Sequence, residues 1–105
     1  MEFTLWQGTR SPYGDKVAEV EIRGEKAGEV KEESEKVRQQ TAVYRLEDGR
    51  IAVHVIRCLK EKEETHARVW FFTSVAAAWP EFGWELESVG LRLRRAIFHT
   101  FEGYD

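Results

Sequence analysis

The ionisable candidates for chemistry in this chain are His54, Cys58, Glu64 and His66. A thiolate beside an imidazole is an activated nucleophile, and histidines with a thiolate are the beginnings of a zinc site. Spacing limits both readings. His54 and Cys58 lie four apart in a segment that reads as a strand, which separates their α-carbons by roughly 13 Å, too far to share one ion. His66 meets Cys58 across the sheet only if the reversal between their strands has five residues. Otherwise it is a partly buried histidine beside a structural cysteine. A small hydrolase or lyase using His54, His66 or Cys58 therefore requires these side chains to converge on one pocket.

The paired carboxylates Glu32-Glu33 and Glu63-Glu64 fall in charged reversals, with no apolar surroundings to raise a pKa for acid or base work. No Gly-rich phosphate loop, His-Glu-x-x-His helix, Gly-x-Ser-x-Gly elbow or Cys-x-x-Cys pair occurs in the chain. The reading that follows is a non-catalytic binding or regulatory module without metal or cofactor.

Two surfaces are candidates for binding. Trp79-Pro80-Glu81-Phe82-Gly83-Trp84 gathers three rings within six residues, and Trp79, Phe82 and Trp84 either close one end of a core or form an exposed patch for a partner. The alternative is single-stranded nucleic acid. Arg45, His54, Arg68 and Trp70 share one sheet face in one of two registers, with Arg57 nearby, and a ring among cations can stack a base while neutralising phosphate. Arg92, Arg94 and Arg95 form a second basic cluster. The formal net charge of −3 argues against binding nucleic acid through overall positive charge and leaves only local patches.

A chain of 105 residues, 42% hydrophobic and 33% charged, has the size and apolar content of one domain with one core. Cys58 is the sole cysteine, so no internal disulfide forms and a cytoplasmic, reducing setting is expected. The N-terminus lacks the basic start and apolar run of a signal peptide, and no stretch is apolar enough to span a membrane. Asparagine is absent while Glu, Arg and Lys abound, as in proteins selected for resistance to heat.

These residues must be positioned by an α+β domain: an antiparallel β-meander of about five strands followed by a C-terminal amphipathic helix packed on one face. Residues 2–7 and 16–23 alternate apolar and polar side chains around a turn at residues 11–15. Trp6 breaks the alternation and is assigned to the second face. Residues 24–40 are a charge run that suits either a solvated helix or a Lys/Glu-rich edge hairpin. Asp48-Gly49 between residues 41–46 and 50–59 predicts a two-residue type I′ hairpin. That register sets Leu46 against Ile51, Tyr44 against Val53 and Ala42 against Val55 on one core face. Arg45, Ala52, Val43, His54, Thr41 and Ile56 then share the other.

Residues 64–73 form the next strand, with Ala67, Val69 and Phe71 on one side and His66, Arg68, Trp70 and Phe72 on the other. Either side can join the core, because a one-residue slip swaps all of them. Ser74 is placed to cap a short turn that Trp79-Pro80 ends. From Trp84 onward, Leu86, Val89, Leu93, Ala96, Ile97 and Phe101 lie on a helical stripe. A period of two also fits residues 91–101, so a strand remains the alternative there. Apolar residues on both sheet faces, with one helix to cover them, lead to the expectation of a homodimer.

Overall fold

The computed structural model describes residues 1–93. Five antiparallel strands, β1 (Glu2–Ser11), β2 (Gly14–Glu33), β3 (Val37–Leu46), β4 (Ile51–Leu59) and β5 (Glu64–Phe72), follow one another in space as in sequence. They do not form an open meander. β1 returns to pair with β5 and closes the sheet into a barrel. Helix α1 (Val75–Ser88) packs on the outside. The charge run resolves as the hairpin: β2 continues to Glu33 and β3 begins at Val37. A bulge at Ala27 shifts the register between Lys26, opposite Tyr44, and Gly28, opposite Val43, which lets so long a strand bend with the barrel wall.

Two apolar layers result from the alternation. Leu5, Ile22, Ala42, Tyr44, Leu46 and Ala52 are buried together in the interior, with Phe3, Val20 and Val69 packed around them. The rings of Phe3 and Tyr44 meet there at 4.9 Å. Side chains fill a barrel of so few strands, as its small diameter requires. On the outer face, Val43, Ile51 and Val53 meet Ala78, Phe82 and Leu86 of α1, flanked by Trp70 and Phe72.

The register of the Asp48-Gly49 hairpin differs from expectation by one residue. Leu46 N–H donates to the Arg50 carbonyl at 2.9 Å, and Gly49 N–H donates to the Leu46 carbonyl at 3.0 Å. The loop therefore has three residues: a turn through Glu47 and Asp48, then Gly49 at φ +91° forming a glycine bulge. Tyr44 consequently faces Ala52, Val43 faces Val53 and Ala42 faces His54. The six residues expected on one core face divide between the two layers. Val53 and Ile51 go outward under α1, and Ala52 and His54 turn inward.

Both sides of β5 contribute to burial. Ala67 and Val69 face the interior, Trp70 and Phe72 face α1, and Phe71 stays exposed beneath the Arg50 guanidinium, 5.1 Å from its ring.

The helix also differs from expectation. Ser74 caps it, its hydroxyl accepting from Ala77 N–H at 3.1 Å, but Pro80 does not end it. The chain passes through Pro80 with a kink at Phe82 (φ −125°, ψ 25°). Pro80 cannot donate to the Ala76 carbonyl, and Ala76 is exposed, so water can take that bond. The helix ends where its interior was expected. Leu91 N–H reaches the Leu86 carbonyl at 2.8 Å and Gly90 N–H the Glu87 carbonyl at 3.0 Å. With Gly90 at φ +88°, these two bonds make a Schellman stop, and Leu91 packs against the outer layer as that motif favours. The helical stripe is thus Ala78, Phe82 and Leu86. Residues 91–93 leave it as irregular chain. Arg94, Arg95, Ala96, Ile97 and Phe101 lie outside the described residues.

Candidate functional site

Alternation on β4 and β5 decides which of the chemically capable residues meet. β5 pairs with β4 so that Leu59 faces Glu64, Cys58 faces Thr65 and Arg57 faces His66. The reversal thus holds four residues, not the five that a Cys58–His66 pair requires. The two side chains leave the sheet on opposite faces, and His54 points into the barrel. The thiol and the two imidazoles do not converge. Among the described residues no group of three His, Cys, Asp or Glu side chains is placed to hold a metal ion.

His54 has a structural task. Three residue pairs make the β1–β5 seam, from Gly8 opposite Ala67 to Arg10 opposite Thr65. Two residues further on, Trp6 and Val69 would be opposite one another, but there the backbone groups bond to side chains instead. His54 Nε2–H donates to the Trp6 carbonyl at 2.8 Å, and Val69 N–H is 3.5 Å from Gln7 Oε1. A carbonyl only accepts, so Nε2 carries the proton of a neutral ring. Burial lowers the His54 pKa below its ordinary value; the Trp6 bond opposes this, and the positive charge of Lys26 adds to it. Lys26 is itself held beside Glu29. Burial likewise raises the Tyr44 pKa.

The nucleic-acid candidates divide in the same way. Arg45, Arg68 and Trp70 point outward, opposite Ile51, Val55 and Val53, while His54 points inward and leaves the set. α1 covers the outer layer around Val43, Ile51 and Val53, and beyond its edge the sheet is open. There a cleft of about 530 Å³ is floored by Val55 and Gln39 and walled by Trp70 and Phe82, with Arg57, His66 and Arg68 along it and Thr9 at the seam. The His66 ring is held from both sides: Nε2–H donates to Glu64 at 3.1 Å, and Nδ1 lies 3.1 Å from the Thr9 hydroxyl. Arg68 lies over the Trp70 ring, 4.8 Å from its centroid, and the other edge of Trp70 meets Phe82 at 5.2 Å.

The ion pairs distinguish these arginines from their neighbours. Arg23, Arg38, Arg45 and Arg50 each have a carboxylate partner. Arg57 and Arg68 make no salt bridge among the described residues and are both exposed. One carboxylate, Glu81 of α1, borders the cleft.

The aromatic run on α1 is not one patch. Phe82 is buried in the outer layer, Trp79 packs half-buried against that layer and against Gly83, and Trp84 is 59% exposed. Arg92 is exposed beside the barrel end that carries Arg45 and Gly49, away from the cleft. Thr9 and Gln39 were not among the residues the sequence singled out. They reach the cleft only because the barrel closes, and no local pattern announces that. No family model, no curated protein and no solved structure matches this chain.

Proposed function

We propose that this protein is a non-catalytic binding module of the cytoplasm whose site is the cleft between β5 and the edge of α1, and that it takes an anionic ligand. One observation supports this above the others. Two exposed arginines without a carboxylate partner among the described residues, Arg57 and Arg68, flank a floor of Val55 and Gln39 beside a tryptophan wall. Among the described residues Arg23, Arg38, Arg45 and Arg50 are paired with carboxylates while Arg57 and Arg68, like Arg10 and Arg92, are not, so these two bring unneutralised charge to the cleft. The separation of His54, His66 and Cys58 is why no catalytic step is assigned.

Trp70 lines the site and reports on it. Titrating the protein with dextran sulfate at low ionic strength is expected to change tryptophan fluorescence saturably, and Arg57→Gln with Arg68→Gln is expected to abolish the change while the circular dichroism stays native. Removing the opposing charge with Glu81→Gln should tighten binding severalfold. A polyanion that binds the double variant as well as the parent excludes the cleft.

A second reading, self-association, has one observation in its favour. Trp84 presents a large apolar ring on the outer side of α1, and such rings are common anchors of interfaces.

A further inference from the structure

The cleft does not end at the seam. A second depression, about 590 Å³, is lined by Lys16, Val17 and Gln7 and shares Gly8, Ala67 and Arg68 with the first. Together the two touch β2, β1, β5, β4 and β3, so they lie across the strands. The path from β2 to β4 alone crosses three strand spacings, roughly 14 Å. Cations recur along it: Lys16 at one end, Arg68 at the shared wall and Arg57 beyond. A compact anion would use one of these positions and leave the others idle.

The second observation is the form in which charge is presented. Arg68 lies over Trp70, and on β1 Arg10 lies over the ring of Trp6, 4.2 Å from its centroid. Arg10 stands opposite Thr65, on the face of β5 away from Arg68, and neither Arg10 nor Trp6 lines either depression, so Arg68–Trp70 is the pair that serves the trough. A guanidinium resting on an indole offers outward a flat, weakly hydrated cation on which a planar group can stack. A flat cationic platform among point charges, in an extended trough, matches a ligand that alternates planar rings with phosphates.

From this we infer that the ligand is a single-stranded nucleic acid laid across the β1–β5 seam, its backbone following Lys16, Arg68 and Arg57 and a base stacked on the Arg68–Trp70 pair. The inference rests on the cleft being the binding site and adds the ligand's class and its course. The strand is bound without sequence readout by stacking, since every base has a flat face, and the acidic remainder of the chain keeps binding confined to the trough.

The test is fluorescence anisotropy of labelled oligothymidylate of about twelve nucleotides, beside dextran sulfate of equal total charge and a duplex of the same length. The single strand should bind more tightly than either competitor. Three phosphate contacts at about −0.7 each give a slope of log affinity against log salt near −2, and Arg57→Gln should lower its magnitude by about 0.7. Arg68→Lys is the decisive variant because it keeps the charge and loses the plane. It is expected to weaken the oligonucleotide at least about fivefold and leave dextran sulfate unchanged. If Arg68→Lys binds the oligonucleotide as the parent does, or if dextran sulfate competes on equal terms, the nucleic-acid assignment is overturned while the anion cleft stands. If neither polymer binds at low salt, both fall.

Discussion

His54 shows how one buried side chain can make stability depend on pH. Its ordinary pKa is 6.5 and burial lowers it in the fold. In the unfolded chain the ring therefore takes up a proton first as pH falls. Its contribution is fully present above about pH 6.5 and is lost as pH drops through that value toward the lower folded pKa, with a slope of at most about 1.4 kcal/mol per pH unit. Urea midpoints measured from pH 7.5 to 5 should fall accordingly. His54→Gln keeps an N–H for the Trp6 carbonyl but does not titrate, so its midpoints should vary less over the same range. A parent protein as pH-insensitive as the variant would exclude this role. The sequence marks His54 as ionisable but not as the donor to Trp6, because that contact spans 48 positions and exists only once β1 and β5 meet. Arg68 and Trp70 were legible as a pair, since residues two apart on a strand share a face whatever the register.

At the scale of elements, the letters carried more about where structure begins than about how it pairs. Asp48-Gly49 announced an antiparallel hairpin, and there is one. The same two letters serve a two-residue turn and the last part of a three-residue one, and that single residue sends Val53 outward instead of inward. Gly90 was similarly ambiguous. It is a costly residue within a helix and a favoured one just past its end, and the bonds from Gly90 and Leu91 back to Glu87 and Leu86 place it at the end. Gly90→Ala forces a side chain into the left-handed region and should cost about 1–2 kcal/mol. Leu86→Ala, at a side chain with no exposure, should cost about 2–5 kcal/mol by leaving a cavity between α1 and β3–β4. Thermal or urea unfolding checks both. Equal, negligible effects would mean that α1 adds little to the fold.

Over the whole molecule, closure is the property that no local pattern contained. An alternating strand looks the same in an open sheet and in a barrel, and only the return of β1 to β5 turns one face into an interior. Closure also changes the argument for a dimer, because the interior face and the layer under α1 are both covered by the chain itself. The large apolar side chains left exposed among the described residues are Met1, Tyr13, Val17, Phe71 and Trp84, of which the Trp84 ring is the one on α1. If the protein pairs through that ring, light scattering gives twice the chain mass of 12.3 kDa, and Trp84→Glu returns it to one. A single-chain mass for the parent at high micromolar concentration ends that reading. The short β1–β5 ladder has a further consequence. With three rungs and two side-chain bonds, it is the place where thermal breathing costs least, so backbone amides of Gly8, Arg10 and Ala67 should exchange with deuterium ahead of those in β3 and β4. A ligand that bridges the seam would act as a clasp there, and its arrival would be read as slowed exchange at residues it need not touch.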